Sequence, residues 1–470
     1  MCNTCATYAT YATYATYSTY SRACRSLTRQ CPGWPVGRAC SFRPRTCDAR
    51  SVPVALASSI STYVVTTHPG AEEVLQEELA EILPGIETVS RHGAVSFDGH
   101  DGAMHRVNLW TRSGIRVLQK VHEVALDPSR PAGDTLYEAF RGALPWGDWL
   151  DSPGKSFSID ARIWNNSNFS NSQLVQTRGR DAICDAVRES TGHRPMPPKK
   201  GLVPEVPLSV SVFNDVLTLY LDTSGVSLHK RGFKSKIHKA GLNECAAATM
   251  LRLAGLQDAL REQEAAVGAG VAGGELVVID PMCGSGTILT EAALIAGNIA
   301  PGLYRRWWPF LSWPTFDARA KTSWDGAMGH AKASRKKEKP NVRLIGNDIH
   351  RGALDLCMEN AKNAGVAPLI KLSHGDVGSL ELGRSAGDGV PSPMVVTNPP
   401  WGQRLNDHDD VEAAWRNLGS FLKHQCQGSS AHILSGDSGV TKHLRLKSDR
   451  RVAITVGNVS CKILQYKMYM

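Results

Sequence analysis

The pattern of hydrophobic and polar positions predicts short alternating elements at the start of the main part of the chain. Residues 63–66 (YVVT) predict a strand, and residues 71–83 place apolar side chains on one face of a helix. A second strand is predicted over 93–98 and a second helix over 104–110. Units of this length predict small α+β modules rather than one large sheet.

A second α+β region follows. Residues 156–163 alternate like a strand, and residues 172–190 have the pattern of a helix. After a proline-rich break at 195–207, two strands are predicted at 208–214 and 216–221. This half of the chain alone indicates only a substrate-binding or structural role.

From Glu275 onward the pattern changes to short apolar strands that are each followed by a polar residue. These strands are predicted over 276–280, 342–348, 369–372 and 394–397, with helices over 287–296 and 351–364. Continuous apolar strands that alternate with helices are typical of a parallel sheet covered on both faces. We therefore predict a Rossmann-like α/β domain behind the α+β modules.

Composition and charge divide the chain near residue 60. The 470 residues are 42% hydrophobic with a mean hydropathy of −0.23, which excludes a largely disordered or collagen-like chain. No stretch offers about 18 apolar residues without charge, which argues against a membrane-spanning helix. Much of the formal net charge of +9 comes from residues 1–59, where Asp48 is the single acid among many arginines. The total charge is therefore no argument for nucleic-acid binding.

Residues 1–59 have the composition of an organelle transit peptide. Residues 6–20 repeat Ala-Thr-Tyr, which cannot form a core, and the segment is rich in Arg and hydroxyl side chains. We expect chloroplast targeting, with the mitochondrion as the alternative; a plain disordered tail or a wrongly assigned start is the other interpretation. Cysteines are scattered through the rest of the chain, which predicts reduced thiols, and Cys2 and Cys5 lack the second pair of a metal site.

Clustered cations flank the last strands of the second α+β region. His193–Arg194 and Lys199–Lys200 precede these strands, and His229–Lys234 and Lys236–Lys239 follow them. Cations beside Phe and Gly suit a polyphosphate backbone. A solvated surface or a linker has the same pattern, so both interpretations stay open.

The sequence DPMCGSG (280–286) lies between the first strand of the Rossmann-like domain and its helix. A Gly-x-Gly turn there lets a nucleotide-like ligand approach the backbone. The third Gly of a dinucleotide site and the Gly-Lys-Ser/Thr of a P-loop are both absent. Asp348 ends the second strand, where it can accept the hydroxyls of an adenosine ribose, and Asp376 follows the third strand, within reach of an adenine amine. Each acid, Asp280 included, has a cap as its alternative role.

Residues Asn398-Pro399-Pro400-Trp401 follow the fourth predicted strand. An exocyclic amine of a nucleobase is a poor nucleophile because its lone pair is delocalised into the ring. An Asn oxygen and a backbone carbonyl can each accept one of its N–H groups and direct the lone pair at an electrophile. The aromatic residue can then stack on a base that has left its helix. A plain turn is the alternative.

These motifs together resemble the amino-methyltransferase branch of the S-adenosylmethionine-dependent Rossmann enzymes. The stretches 238–255 and 280–303 and the FxxW at 310–313 resemble, more narrowly, the THUMP-domain ribosomal RNA large-subunit guanine-N2 methyltransferases. The resemblance covers residues 62–470. It implies a ferredoxin-like module at 62–107, a THUMP RNA-binding domain at 108–221 and a class I methyltransferase domain at 222–470, behind the transit peptide that composition predicts at 1–59.

The resemblance also implies the site and its ligands. The cofactor would be S-adenosylmethionine, and the partner would be large-subunit ribosomal RNA, or transfer RNA as the alternative, with no metal and no membrane. The residues implied at the cofactor are Asp280, Cys283, Gly284, Gly286, Asp348, Asp376 and Asn398, and those at the target amine are Asn398, Pro399, Pro400 and Trp401. Cys283 is expected to pack rather than to act as a nucleophile.

The sequence departs from the family pattern at three points. Trp401 stands where Tyr or Phe is usual, which keeps an aromatic ring but removes the phenol, and Gly241 stands where Pro or another residue is usual. A single methyltransferase domain is present, so a second methylation activity is not expected. The aromatic segment 304–324 is expected to pack as an insertion, with RNA stacking as the alternative, and Lys332–Lys339 as a solvated loop, with RNA contact as the alternative.

Two other functions compete with ribosomal RNA methylation and the same reaction on transfer RNA. A non-catalytic RNA-binding assembly factor would not need Asp280, Asp348, Asp376 and Asn398, all of which are present. DNA adenine-N6 methylation uses the Asn-Pro-Pro-aromatic motif, but it has no need of a THUMP-like half.

Overall fold

The computed structural model describes residues 60–234, 241–271, 274–382, 393–401 and 408–469. The contacts within the chain divide it into two units, Met1–Ala55 and Leu56–Met470. All helices and strands described here belong to the second unit. The predicted transit peptide, the cations at 236–239 and Gly402 lie outside the described residues.

The amino-terminal half of this unit alternates strands and helices. In chain order its elements are β1 (Ser61–Thr66), α1 (Glu72–Ile82), β2 (Thr88–Arg91), β3 (Ala94–Gly99), α2 (Asp101–Trp110), β4 (Arg116–Ala125), α3 (Ala132–Arg141), α4 (Trp146–Trp149), β5 (Phe157–Trp164), α5 (Ser172–Thr191), β6 (Val206–Phe213) and β7 (Val216–Asp222).

Local sequence explains where the main helices of this half begin and end. Helix α1 carries acids in its first turn and buries Val74, Leu75, Leu79 and Ile82 along one face. Helix α5 begins after Asn171, whose side chain accepts a hydrogen bond from the backbone N–H of Gln173, and it ends at Gly192 in a left-handed conformation. The predicted helices over 71–83 and 172–190 are therefore confirmed.

One continuous sheet joins all seven of these strands, in the order β2-β3-β1-β4-β7-β6-β5. The expectation of small modules without a large sheet is therefore wrong. Strand β4 is the reason, because it pairs antiparallel with β1 on one side and with β7 on the other. Its sequence does not alternate cleanly and its register shifts between Lys120 and His122, so the pattern did not predict it.

The carboxyl-terminal half contains the second sheet and its helices. Its elements are α6 (Glu244–Leu253), α7 (Leu256–Gly268), β8 (Leu276–Asp280), α8 (Thr287–Ala296), α9 (Ala318–Ala333), β9 (Val342–Asp348), α10 (Arg351–Asn363), β10 (Ile370–His374), β11 (Met394–Thr397), α11 (His408–Gln425), β12 (Ser430–Ser435), β13 (Arg450–Val456) and β14 (Val459–Lys467), with short 3-10 helices at Pro301–Tyr304, Pro309–Ser312, Ala367–Leu369, Val377–Ser379 and Val440–Leu444.

The second sheet has the predicted doubly wound architecture, with strand order β10-β9-β8-β11-β12-β14-β13. Strands β10, β9, β8, β11 and β12 are parallel, whereas β14 runs antiparallel to both of its neighbours. The strand order reverses at β8, since β9 and β11 lie on its two sides. Ligands of such sheets bind outside the carboxyl ends of the strands at this reversal.

The aromatic segment between α8 and β9 packs on the amino-terminal half. Trp308, Phe310, Trp313 and Trp324 are buried in the same core cluster as the first sheet. The indole N–H of Trp313 donates to the Glu205 carbonyl at 2.8 Å, and the Trp324 ring lies 5.4 Å from that of His105 on α2. The expected packing role is confirmed, and the segment ties the two halves together.

Two further expectations concern the limits of the domains and the membrane. The predicted boundary between residues 107 and 108 falls inside α2, which continues to Trp110 because Leu109 is fully buried. The other boundaries stay predictions. Within the described ranges, no helix is both long enough and apolar enough to cross a membrane.

Candidate functional site

The carboxyl ends of four neighbouring strands meet at one edge of the second sheet. The Thr397 hydroxyl at the end of β11 donates to Oδ1 of Asp280 at the end of β8, at 2.8 Å. The backbone N–H of Gly284 donates to Oδ2 of Asp348 at the end of β9, also at 2.8 Å. The side chain of Asn347 donates to the carbonyl of Gly375, just after β10, at 2.9 Å. The predicted strand ends therefore meet at one edge, where a sheet of this topology places its ligand-binding cleft.

Asp280 is a buried carboxyl with few partners. It is 2% exposed, and burial raises its pKa to about 7. The Thr397 hydroxyl and the Met282 N–H oppose that shift, whereas the nearby charge of Asp348 adds to it. The carboxyl is therefore poised to change its charge near neutral pH, and a cationic ligand in the cleft would favour the ionised form.

The glycine turn after β8 has the geometry that a close ligand needs. Gly284 and Gly286 have φ angles of +53° and +74°, which other residues adopt only with strain. A Cβ on Gly286 would overlap Sγ of Cys357, whereas a Cβ on Gly284 would meet open space. Gly286 therefore allows α10 to pack closely, and Gly284 faces the cleft.

Cys283 lies in the same turn but packs inward. It is buried in the core cluster that includes β8 and α10. A hydrogen bond with Cys357 and burial both raise the pKa of its thiol, which keeps the sulfur protonated. This agrees with a packing role for the side chain. Its backbone N–H donates to the Asn347 carbonyl at 2.8 Å and fixes the turn.

The two downstream acids are held by backbone N–H groups. Both oxygens of Asp348 accept such bonds, from Gly284 and from His350, each at 2.8 Å. Oδ1 of Asp376 accepts from the Gly378 N–H at 2.7 Å and from the Asn417 side chain at 2.9 Å. Asp376 thus caps the 3-10 helix after β10, which was the alternative interpretation of this residue. These bonds orient both carboxylates, and the ribose and adenine roles stay predictions.

Asn398 has an unsatisfied polar atom at the cleft. Its Oδ1 is buried and has no hydrogen-bond partner in the part of the chain that the structure describes. A buried acceptor without a donor is costly, and such atoms in native proteins call for a ligand or water. The Pro400 carbonyl accepts from the Trp415 indole at 2.8 Å, which fixes the Pro-Pro turn.

Trp401 is held in place by its own contacts. Its indole N–H donates to the Leu434 carbonyl at 3.2 Å, and a Cβ on Gly436 would lie 2.6 Å from the ring. The ring is half-buried, and both cores of the second sheet contact it. Gly436 is therefore required for this ring position. The stacking role of Trp401 on a target base stays a prediction.

Sequence reasoning missed two residues next to Asp348. Asn347 is 2% exposed and donates to the carbonyls of Pro281 and Gly375, so it joins the loops after β8 and β10. Ile349 is 57% exposed, an apolar side chain beside the predicted ribose carboxylate. Both residues adjoin Asp348 at the end of an apolar strand. In the sequence the acid indicates a ligand contact, and its two neighbours do not.

The charge at the strand ends suits the cationic groups of S-adenosylmethionine. Two carboxyl groups lie there, and the charge of Asp348 adds to the raised pKa of Asp280, so the cleft is acidic. Acidic surroundings favour the sulfonium and ammonium groups of that cofactor. A Cβ on Gly284 would meet open space, so the backbone of the turn is accessible. The described residues contain no cluster of three or more His, Cys, Asp or Glu side chains that could hold a metal ion.

Comparison with protein families assigns all three parts of the described chain. Residues 62–118 match the RlmL ferredoxin-like domain, residues 134–222 match the THUMP domain, and residues 231–465 match the RMKL-like methyltransferase domain. The last match covers half of the chain. The chain belongs to the THUMP-containing, RMKL-like methyltransferase family. The predicted family and fold class are confirmed, and S-adenosylmethionine is the cofactor of this RMKL-like methyltransferase domain.

Individual relatives agree with this assignment. The ribosomal RNA large subunit methyltransferase K/L of Syntrophotalea carbinolica is 32% identical over 406 residues, which are 86% of this chain and 53% of that protein. The protein of the same name from Photobacterium profundum is 30% identical over 410 residues, 87% of this chain and 53% of its own length. This chain thus spans about half the length of these relatives. A crystal structure described as a possible methylase from Clostridium difficile has a TM-score of 0.70 and 26% identity, over 88% of this chain and 99% of that one.

Proposed function

We propose that this RMKL-like methyltransferase transfers a methyl group from S-adenosylmethionine to the exocyclic N2 amine of a guanine in large-subunit ribosomal RNA. The observation that carries the proposal is Oδ1 of Asn398, which is buried and has no partner among the described residues, at the edge where four parallel strands end. An acceptor in that position can take an N–H of a bound amine. Two relatives that carry the name of ribosomal RNA large subunit methyltransferases support the class of RNA.

The reacting amine would be held by two oxygens of the chain. Oδ1 of Asn398 accepts one N–H of the amine and the Pro399 carbonyl accepts the other, which draws the lone pair out of conjugation with the ring. The Trp415 indole fixes the Pro-Pro turn through the Pro400 carbonyl, so the Pro399 carbonyl is preorganised. Because the cofactor supplies an already activated methyl group, positioning of the amine is the main task of the protein.

The cofactor would lie across the strand ends on the acidic side of the cleft. Asp348 accepts hydrogen bonds from the ribose hydroxyls, and the exposed Ile349 side chain covers one face of the adenine. Asp376 accepts from the adenine amine through the oxygen that does not cap the 3-10 helix. Asn347 keeps these elements together, since it joins the loops on both sides of β9.

The THUMP domain would bring the RNA to this cleft. It forms one sheet with the ferredoxin-like module, and the aromatic segment fastens this sheet to the methyltransferase half. A rigid connection fixes the distance between the bound RNA and the reactive amine. Transfer RNA is the alternative substrate, because THUMP domains also serve its modification.

Methyl transfer to purified RNA tests the proposal. The full chain is incubated with S-adenosylmethionine that carries a deuterated methyl group and, in separate reactions, with large-subunit ribosomal RNA or transfer RNA. Mass spectrometry of the nucleosides is expected to find the label on N2-methylguanosine from ribosomal RNA. Label on adenosine or cytidine, or on transfer RNA alone, would contradict the proposed target. Donor binding without any transfer would favour the non-catalytic assembly factor.

We also propose that the chain acts in an organelle, the chloroplast or alternatively the mitochondrion. The acid-poor, Arg- and Thr-rich composition of residues 1–59 supports this proposal. Amino-terminal sequencing of the protein from purified organelles is expected to find a start near residue 60. An intact Met1 in those organelles would contradict targeting by cleavage.

A further inference from the structure

A cleft lies between the ferredoxin-like module and the methyltransferase half, away from the strand ends. Its volume is about 380 Å³, and its walls come from α1 and α2 on one side and from α7 and the carboxyl end of α8 on the other. The glycine turn of the cofactor site precedes the opposite end of α8. At a rise of 1.5 Å per residue, the ten residues of this helix separate the two sites by about 15 Å.

Arg112 brings a buried charge to the wall of this cleft. Its side chain is 8% exposed, and Nη2 donates to the carbonyls of Leu294 and Ile299, at 3.4 and 2.8 Å, at the end of α8. Nη1 is also buried, yet it has no hydrogen-bond partner among the residues described. Burial lowers the pKa of this guanidinium, because the charged form lacks solvent. An anion in the cleft would supply the missing acceptor.

Two of the cations that line the cleft have no ion-pair partner among the described residues. The lining contains five Arg and Lys side chains, at Arg106, Arg112, Arg252, Arg261 and Lys336. Arg252 pairs with Glu77 and Glu81, Arg261 pairs with Glu81 and Asp258, and Lys336 pairs with Glu264. Arg106 is exposed and forms no ion pair within the described ranges. Arg106 and Arg112 are therefore the cations left for an anion in the cleft.

Glu78 forms no ion pair with Arg106 or Arg112 in the described part of the chain. Its carboxylate accepts from the backbone N–H groups of Arg112 and Ser113 and from the hydroxyl of Thr111. A carboxylate engaged in this way fixes the turn after α2. It therefore holds the backbone of Arg112 without pairing with its Nη1.

An acceptor in the same lining lacks a donor. Oε1 of Gln257 is buried and has no hydrogen-bond partner in the part of the chain described here. A ligand that offers both anionic oxygens and a hydroxyl would satisfy Arg112 and Gln257 together. A singly protonated phosphate has both kinds of group, and its oxygens match the fork of a guanidinium.

We propose that this cleft binds a phosphate group, held by Arg112 and Arg106. The site is separate from methyl transfer, so the proposal does not depend on the proposed function. The phosphate can belong to a free phosphorylated molecule or to the backbone of a bound RNA. Both sources have the same recognition chemistry, and a competition experiment separates them.

Calorimetric titration of the full chain with inorganic phosphate tests the site. Arg106→Ala is expected to weaken binding about tenfold, which corresponds to roughly 1.4 kcal/mol, because it removes one charged hydrogen-bond donor. Arg106→Glu is expected to abolish binding. Both variants should fold, because the side chain is exposed. Arg450→Ala, which removes an exposed arginine of β13, is the matched control and should bind as the wild type does.

Fluorescence anisotropy with a labelled RNA oligonucleotide identifies the source of the phosphate. If phosphate competes with the RNA and Arg106→Ala weakens both, the site takes a backbone phosphate. If phosphate binds without displacing the RNA, the site takes a free phosphorylated molecule. Absence of phosphate binding to the wild type, or equal weakening by Arg106→Ala and Arg450→Ala, would overturn the proposal.

Discussion

The two sheets each contain a buried aspartate at a strand end, and these residues differ in their partners. Asp222 ends β7 in the first sheet, where it forms an ion pair with Arg116 and accepts from the N–H groups of Ser224 and Gly225. Asp280 ends β8 in the second sheet, where a hydroxyl and one N–H are its partners. Burial raises the pKa of both residues, but among the described residues no cation opposes this shift at Asp280.

This difference shows how structure and function divide between the sheets. The first sheet is mostly antiparallel, so the carboxyl ends of neighbouring strands lie at opposite edges of the sheet. The polar group at such an end pairs with a neighbouring strand, as Asp222 does with Arg116. The second sheet is mostly parallel, so four carboxyl ends gather at one edge. At this edge, Oδ1 of Asn398 is buried and has no hydrogen-bond partner among the residues described. We infer that incomplete pairing, rather than burial, identifies the site.

Trp308→Ala tests whether the aromatic segment is structural. Trp308 is buried in the core of the first sheet, and the guanidinium of Arg305 lies 4.6 Å from its ring centre. We expect its loss to lower the free energy of unfolding by about 3–5 kcal/mol, as for other large buried side chains. Urea unfolding measures this change. Trp307→Ala, at a residue 37% exposed, is the matched control and should cost far less.

The packing of the aromatic segment on the first sheet also affects the stability of separate domains. Removal of residues 60–222 would expose four aromatic side chains that now pack on the first sheet. We therefore expect the methyltransferase half alone to be unstable, and RNA binding is better studied with point variants of the full chain. A stable, donor-binding fragment 223–470 would contradict this account of the aromatic segment.

Asp280→Asn tests the contrast between the two aspartates through pH. The pKa of Asp280 rises from an unfolded value of 3.8 to about 7 in the fold, so the protonated form is the one that folding favours. Its contribution to stability is therefore complete below pH 4 and is lost as the pH rises through 7. The shift corresponds to about 4 kcal/mol between those limits. Urea unfolding at several pH values should show this loss in the wild type but not in Asp280→Asn.

Asp222→Asn is the companion variant for this measurement. It leaves Arg116 without its carboxylate, so we expect lower stability than the wild type at pH 8. Asp280→Asn should instead be at least as stable as the wild type at that pH. If both variants lose stability equally at pH 8, the difference in pairing between the two sheets has no energetic consequence.

Asn398→Ala tests the amine-binding role. We expect turnover to fall about 10²–10³-fold, which is typical for the loss of one preorganised polar contact to a transition state. Donor affinity and stability should stay near the wild-type values, since Oδ1 forms no hydrogen bond with any described residue. Single-turnover methyl transfer measures the rate. Asn363→Ala, at an exposed asparagine whose side chain donates to the Phe233 carbonyl, is the control.

The sequence predicts four of the seven strands of the second sheet, β8, β9, β10 and β11, because their signals are local, whereas β12, β13 and β14 were not predicted. Each parallel strand is a short apolar run, and the motifs at Asp280, Asp348 and Asn398 lie directly at strand ends. The continuity of the first sheet was not predictable in this way. Strand β4 has a register shift and mixed polarity, and its role depends on strands distant in sequence. The sequence also did not predict that the aromatic segment packs on the first sheet. Its aromatic composition indicates that the segment is buried, but not which surface it contacts.

The site shows the same limit at the level of single residues. Asn347 is important because it lies between two loops, a relation that exists only in three dimensions. The cap formed by Asp376 and the fixed ring of Trp401 likewise depend on Asn417 and Gly436, which are remote in sequence. Spacing can predict which residues gather at an edge. It cannot predict which of their atoms are already engaged.

Calorimetric titration of S-adenosylmethionine into the full chain tests the central claim most directly. The account predicts one donor site per chain, weakened at least about tenfold by Asp348→Ala, which corresponds to roughly 1.4 kcal/mol, and unchanged by Asn398→Ala. Circular dichroism verifies that both variants fold. Absence of donor binding, or equal binding by the wild type and Asp348→Ala, would contradict a donor site at the ends of the parallel strands.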